Sequence, residues 1–374
     1  MDDDRHRVPE RNRAVGGGRA LALLVAAMLA IAAFLGFGGE MPGWQTRGPA
    51  SSTPAVSAPI SPLDPVAVAR VVQPALVNIS TSSRPFGLGA AGSGIVLTPD
   101  GQVLTSHHVV KGAETVTVTD VGNGLVYDAT VLGYDSGADI ALLELGNAAD
   151  LTIATIGTSS DLRIRDAVLA IGNAGGTGGT PTAIAGSITN LNSTIVALNS
   201  ADLSRKPLSN MLEVAGAVSS GQSGGALADR NGAVVGVITA ASGEPAQEIG
   251  RTPNGYAVPI DTAMRVVGQV RSGTPTDTVH IGPTATLGIV ISNAEPAGTG
   301  ARVDVAIYGM PAYAAGIVTG DVITAIDGQT VTTAQSLRAV LNMRRPNDTV
   351  GLAVTGSDHL QRTVSVVLTV GPPN

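Results

Sequence analysis

The sequence predicts a mainly β chain: a strand-rich domain of one or two barrels over residues 66–272, a smaller α+β module over 283–373, and one membrane-spanning helix over 20–39 ahead of both. Three observations carry this expectation. Short apolar runs bounded by Gly or Asp recur between Pro65 and Ser272, a pattern of barrels and sandwiches. Aromatic residues are only 2% of the chain while Gly numbers 48, so the interior must be packed from Val, Ile, Leu and Ala between many tight turns. The stretch from Ala20 to Gly39 carries no charge. At about 1.5 Å per helical residue it covers roughly the 30 Å of a bilayer core.

Composition narrows the functional classes. With 374 residues, 44% of them hydrophobic and 14% charged, the chain buries a core of ordinary size, and global disorder is excluded. Its 22 Lys and Arg against 29 Asp and Glu give a net charge of −7, which argues against nucleic acid as a partner. There is no Cys, hence no disulfide framework, thiolate metal site or cysteine nucleophile.

Taken in chain order, residues 1–19 hold Arg5, Arg7, Arg11, Arg13 and Arg19, and the first charge after the apolar span is Glu40. The positive-inside rule therefore places the N-terminus in the cytoplasm and everything beyond Gly39 outside it, a single-pass membrane protein. Cleavage near Gly36 to Gly39 is the competing reading and would give a secreted protein. The apolar region exceeds the ~7–15 residues of a signal peptide, which favours the anchor. Residues 40–65 are rich in Pro, Ser, Thr and Ala, the composition of an extended tether.

The β domain follows. Gly94 to Thr98 and Gln102 to Thr105 flank Pro99-Asp100-Gly101, a hairpin with Pro and Gly at turn positions. Thr115 to Thr119 alternates strictly, and Ile140–Leu145, Ala167–Ile171 and Val234–Thr239 are further strands. Helical periodicity is confined to Asp261–Val270. Ser223 sits in Gly221-Gln222-Ser223-Gly224-Gly225, where glycines permit a sharp turn and let amides near Gly221 and Ser223 converge on one oxyanion. A serine needs a base. Of the five His, His107 and His108 fall inside this domain, and Asp139 opens a strand downstream, placed to orient an imidazole. Each residue alone also fits a turn, an ordinary histidine or a cap. An α/β-hydrolase elbow needs the order Ser, acid, His, which is absent here.

In the second module, Gly320 to Gly328 reads as a strand ending in an Asp-Gly turn, and Thr332 with Gln335 as the capping box of a helix through Leu337, Val340 and Leu341. His280 and His359 read as surface residues without metal-ligand spacing partners.

Four segments, Leu104-Thr105-Ser106-His107-His108-Val109-Val110, Ala138-Asp139-Ile140-Ala141-Leu142-Leu143, Gly221-Gln222-Ser223-Gly224-Gly225 and Gly255-Tyr256-Ala257-Val258-Pro259-Ile260, together resemble the HtrA (DegP-like) serine proteases. The glycine-rich run Gly172 to Thr177 is similar to actinobacterial exported members with one C-terminal PDZ domain. The resemblance implies a chymotrypsin-like double β-barrel protease domain followed by a PDZ domain. It implies a serine endopeptidase acting on unfolded or envelope proteins in protein quality control, with Ser223 as nucleophile, His108 as base, Asp139 as its orienting acid, and Gly221 and Ser223 amides as the oxyanion hole. The family's catalytic His precedes Val-Val or Val-Ile, which selects His108 and leaves His107 without a role. Ala217 would lie at the base of the specificity pocket, implying cleavage after small or medium aliphatic residues. In the PDZ part, Leu287, Gly288 and Ile289 would form the carboxylate loop for peptide C-termini, and Leu337 and Leu341 either line the side-chain pocket or belong to the core. No metal or organic cofactor is implied. A homotrimer through N-terminal aromatic contacts is the family habit, weakened here because Phe86 is the only Phe beyond the apolar span. Two departures, Gln222 before the serine and Val214 to Ser220 in place of the family's usual segment, leave a catalytically silent peptide-binding or chaperone-like protein as the alternative.

Overall fold

The computed structural model describes residues 62–82, 89–198, 205–239, 254–294 and 298–373. The anchor expected over 20–39, most of the expected linker and Phe86 lie outside the described residues. Among those described, no helix is long and apolar enough to cross a membrane.

Helix α1 (Pro65–Val72) begins where a linker was expected to give way to strands. Asp64 caps it, its carboxylate accepting from the amides of Val66 and Ala67, and Pro65 occupies the first turn. Both signals were present in the sequence, because Pro at the first helical position forgoes an N–H that has no intrahelical partner.

The first barrel is built from β1 (Leu76–Ser82), β2 (Gly89–Val96), β3 (Gln102–Thr105), β4 (Thr115–Asp120), β5 (Val126–Asp135) and β6 (Ile140–Leu145), with the single turn α2 (His107–Val110) after β3. The antiparallel order is β5-β4-β1-β2-β3-β6, and β6 pairs back onto β5 to close the ring. In β4 the alternation turns Val116 and Val118 inward, as the period of 2 requires. The second barrel is a closed ring of β7 (Ala167–Gly172), β8 (Thr182–Leu198), β9 (Arg205–Ala215), β10 (Ala226–Ala228), β11 (Val234–Thr239) and β12 (Asn254–Pro259). Helix α3 (Ile260–Arg271) buries Ile260, Ala263, Val266, Val267 and Val270, one apolar stripe at helical spacing. The segment after it, outside the expected domain boundary, adds β13 (Val279–Ile281) to β5 of the first barrel.

In the C-terminal module, β14 (Thr284–Thr286) pairs with β21 (Thr369–Gly371), and a second sheet runs β15-β16-β17-β19-β20 through β15 (Ile289–Asn293), β16 (Ala301–Ala306), β17 (Val322–Ile326), β19 (Thr349–Thr355) and β20 (Gln361–Val367), with β18 (Gln329–Thr330) beside β17. Strand β15 is the edge of that sheet. Two helices, α4 (Pro311–Ala314) and α5 (Ala334–Asn342), complete the module. The cap of α5 is Thr333 with Ser336 rather than Thr332 with Gln335: the Thr333 hydroxyl accepts from Ser336 N, and the Ser336 hydroxyl accepts from Thr333 N. A hydroxyl closes the box as well as a carboxamide does, one residue later than expected.

Candidate active site

His108 stands on α2, directly after β3. Its Nδ1 lies 2.8 Å from Asp139 Oδ2, and its backbone N–H donates to Asp139 Oδ1 at 3.0 Å. Asp139 reaches this position through a tight turn. The carboxylate of Asp135 accepts from Gly137 N and Ala138 N, Asp139 itself adopts a left-handed φ of 56°, and its carbonyl accepts from His107 N at 3.1 Å. A short polar residue tolerates that backbone region better than most. Thr239, from β11 of the other barrel, donates to Asp139 Oδ2 at 3.3 Å.

The two histidines titrate in opposite directions. Burial pulls the His108 imidazole down, but the charge and the hydrogen bond of Asp139 outweigh it and its pKa lies above 6.5. Burial pushes the Asp139 carboxyl up, yet the charge and hydrogen bond of His108, with smaller help from His107 and the His108 amide, leave it below its usual value. This is the arrangement that stabilises an imidazolium while fixing the tautomer of the neutral ring. His107 is lowered to about 3, chiefly by burial, against the pull of Asp139 and with Lys111, Lys206 and His108 adding repulsion. Its ring stacks on Tyr134 with centroids 4.6 Å apart, and its Nε2 is buried without a hydrogen-bond partner among the described residues.

Ser223 belongs to the second barrel, in the turn before β10. Gly221 and Gly224 on either side have φ of 88° and 83°. A Cβ on Gly221 would fall 2.2 Å from the carbonyl oxygen of Asn173, and one on Gly224 would fall 2.1 Å from that of Ser93, so only glycine fits both places. The turn is held to the His108 side of the molecule by backbone bonds. Ser93 N donates to Ser223 O at 2.8 Å, and Gly224 N to Ile238 O at 2.7 Å. The same Ile238 carbonyl accepts from the hydroxyl of Ser106 at 3.2 Å, and its neighbour Thr239 is the residue bonded to Asp139. His108, Asp139 and the Ser223 turn are thus gathered at one junction between the barrels. Gln222 is fully buried, and its side-chain oxygen accepts from Ser219 N while its amide donates to Thr182 O, a neutral brace where digestive enzymes place an acid.

The remaining expected residues are placed as follows. Ala217 is exposed, in the segment between β9 and Ser219. Gly288, at φ 72°, packs against Met310, and its N–H donates to the Thr286 hydroxyl, while Leu287 is buried and Ile289 half-buried at the start of edge strand β15. Leu337 and Leu341 are both buried within the hydrophobic cluster of the module. His280 is corrected from surface to interior. It is 4% exposed, its ring lies 5.0 Å from that of Tyr134, and its Nδ1 is 2.7 Å from the Asn342 carbonyl at the end of α5. A lone histidine in sequence shows nothing of such a tertiary stack. His359 is exposed as expected. Ser93, Thr239 and Ile238 were missed. Ser93 alone left a signal, standing between Gly92 and Gly94.

Residues 92–237 match the trypsin-like peptidase domain family, and residues 285–368 match the PDZ domain family. Among curated relatives, serine protease PepD of Mycobacterium tuberculosis is 29% identical over 356 residues, covering 91% of this chain and 74% of PepD. The periplasmic serine endoprotease DegP of Escherichia coli is 32% identical over 257 residues, 67% of this chain and 51% of DegP. The chain belongs to the HtrA family of serine proteases. It spans about half the length of the DegP-like relatives it matches, such as that of Brucella suis, 33% identical over 270 residues, or 71% of this chain and 50% of that protein. A solved structure, the serine endoprotease from Yersinia pestis, is 25% identical, with a TM-score of 0.45, and the match covers 83% of this chain and 99% of that one.

Proposed function

We propose that this HtrA-family chain hydrolyses internal peptide bonds of unfolded or envelope polypeptides. Ser223 is the nucleophile, His108 the general base and acid, and Asp139 the group that orients His108. The single observation carrying this reading is the His108–Asp139 pair, hydrogen-bonded at 2.8 Å at one barrel junction to which the glycine-bounded Ser223 turn is also bonded. In the first step Ser223 Oγ attacks the peptide carbonyl carbon while His108 Nε2 takes the hydroxyl proton. The imidazolium is held by Asp139 through Nδ1–H. Collapse of the tetrahedral intermediate passes the Nε2 proton to the leaving amine, and water repeats the cycle on the acyl-enzyme. The N–H groups of Gly221 and Ser223 stabilise the oxyanion. Ala217, small and uncharged, sets a preference for small or medium aliphatic side chains before the cleaved bond.

The PDZ module binds peptide C-termini by adding a strand at β15, whose outer edge is unpaired among the described residues, with the Leu287-Gly288-Ile289 loop at the carboxylate. The apolar segment 20–39 holds both modules outside the cytoplasm. Ser223→Ala is expected to abolish cleavage of a denatured protein while leaving the melting curve in place, and mass spectrometry of the peptides released by the unsubstituted chain should show aliphatic residues at the cleaved position. Equal cleavage by the two proteins would overturn the assignment.

A further inference from the structure

We propose that Ser93, on β2 of the first barrel, is a positioning residue for the oxyanion-binding turn of the second; this rests on the proposed peptidase reading. Four successive carbonyls of that turn are each held by a donor. Gly175 N holds Ser220 O at 2.7 Å, the Ser93 hydroxyl holds Gly221 O at 2.9 Å, Gly225 N holds Gln222 O at 2.9 Å, and Ser93 N holds Ser223 O at 2.8 Å. In a planar trans peptide the N–H points opposite to the carbonyl. Pinning the carbonyls of Ser220 and Gln222 therefore aims the N–H groups of Gly221 and Ser223 to the other side, where an oxyanion would bind. The peptide between these two donors, Gly221–Gln222, has its own carbonyl held by the Ser93 hydroxyl. Its rotation would tilt both flanking N–H groups, and glycine at 221 offers little resistance to such a rotation.

The Ser93 hydroxyl is the one side-chain donor among the four, so it alone can be deleted without altering backbone. It serves the other arm of the turn as well, because Asn173 N donates to it at 2.8 Å, at the start of the segment that carries Gly175. A hydroxyl gives one hydrogen and accepts up to two, and here both capacities are spent on the oxyanion turn and its support. The backbone of Ser93 is equally engaged, its carbonyl accepting from the Thr105 hydroxyl at 2.7 Å. The residue is 1% exposed, which keeps water from replacing the lost partner. Nothing of Ser93 is bonded to His108 or Asp139, so its effect is separable from theirs.

The test compares the full chain with Ser93→Ala and Ser93→Cys, measuring kcat and KM on a peptide substrate across pH, with rates normalised to the folded fraction read from melting curves. Ser93→Ala removes the hydroxyl. Ser93→Cys keeps the volume but offers only a weak donor, which guards against a loss that merely reflects a cavity. Removing one oxyanion donor outright costs about 10²–10³ in kcat; misaiming donors that remain should cost roughly 10- to 100-fold in both variants. KM should stay within about twofold, and the acid limb of the pH profile, set by His108, should not move. Unchanged kcat in either folded variant would overturn the proposal, as would full kcat in Ser93→Cys beside a loss in Ser93→Ala, which would assign the role to packing. A shifted acid limb would overturn it too, by placing the damage at His108. Failure of the underlying reading looks different: the unsubstituted chain itself would then show no cleavage that depends on Ser223.

Discussion

The two barrels contribute the two halves of the proposed site, and they hold them by different means. On the first barrel His108 and Asp139 are fixed by a charge-assisted pair with a side-chain hydrogen bond from Thr239. On the second, the Ser223 turn is fixed mainly by backbone amides and carbonyls, with the Ser93 hydroxyl and the Gln222 carboxamide beside them and glycines where a Cβ would collide. A half built on charge is sensitive to proton concentration and to loss of the charge, even where the shape is kept. A half built on backbone contact is indifferent to pH and intolerant of a single added carbon. Substitutions that attack one means and spare the other can break or sharpen this contrast.

Asp139→Asn should have the largest effect. Asn keeps the shape and accepts the left-handed φ of 56°, but it no longer stabilises imidazolium and lets His108 adopt the wrong tautomer. A loss of roughly 10⁴ in kcat is expected, as for the orienting Asp of a protease triad. Retention of more than a tenth of the activity would mean that charge does not hold this half.

Gly221→Ala comes next. The new methyl would sit 2.2 Å from Asn173 O and 2.5 Å from Gly176 N, at φ 88°, so the turn must shift. Strain at such a position costs about 1–3 kcal/mol, and displaced oxyanion donors cost about 10²–10³ in rate. Because the charged half is untouched, labelling of Ser223 by a phosphonate should slow while the pH dependence of stability stays that of the unsubstituted chain. A changed pH dependence would show the two halves to be less separate than the hydrogen bonds indicate.

The same contrast explains what was legible in the sequence. The reacting side chains announce themselves, since an imidazole, a carboxylate and a hydroxyl are the residue types that acyl transfer requires, and their order survives in one dimension. Strands such as Thr115 to Asp120 were equally plain, because alternation is local. The supports were not. Ser93 acts through the carbonyls of residues far along the chain, and carbonyl orientation has no letter in the sequence. His280 was misread because its burial depends on Tyr134 from β5 and on the end of α5, elements that periodicity cannot bring together. Leu337 and Leu341 share a helix face whether they line a pocket or belong to the core, and helical spacing carries no signal that separates the two. Helix α1 was overlooked although Asp64-Pro65 is a sound start signal, because the Pro-rich linker before it set the expectation.

His107 tests the charged half from within. With its pKa lowered to about 3 from 6.5, it stays neutral in the fold while an unfolded chain takes a proton as pH falls below 6.5. The unfolded state binds more protons between those values, so stability drops on acidification across that window. At 1.36 kcal/mol per pKa unit the full penalty is on the order of 5 kcal/mol. His107→Phe keeps a ring on Tyr134 and removes the proton. Denaturant melts should then show a clearly flatter loss of stability between pH 6.5 and 4, with activity at neutral pH reduced less than in either variant above. An unaltered acid profile would mean that His107 is not the group being charged.

The smallest effect expected is a crossing of activity and stability above pH 6.5. His108 has a raised pKa in the fold, so its contribution to stability is fully present below the unfolded value of 6.5 and is lost as pH rises through the folded value. Base catalysis needs the neutral ring, so kcat/KM rises over the same interval. Asp139, whose pKa is lowered, is ionised throughout that range, and its own contribution is lost only in acid, as pH falls below 3.8 through the folded value. Activity should therefore gain where stability is modestly spent. In Asp139→Asn the pair is gone, and the decline of stability above pH 6.5 should disappear with it. Parallel melts and initial rates between pH 6 and 9 decide the matter: a stability curve of the same slope in both proteins would detach His108 from Asp139, and with it the claim that this half of the site is held by charge.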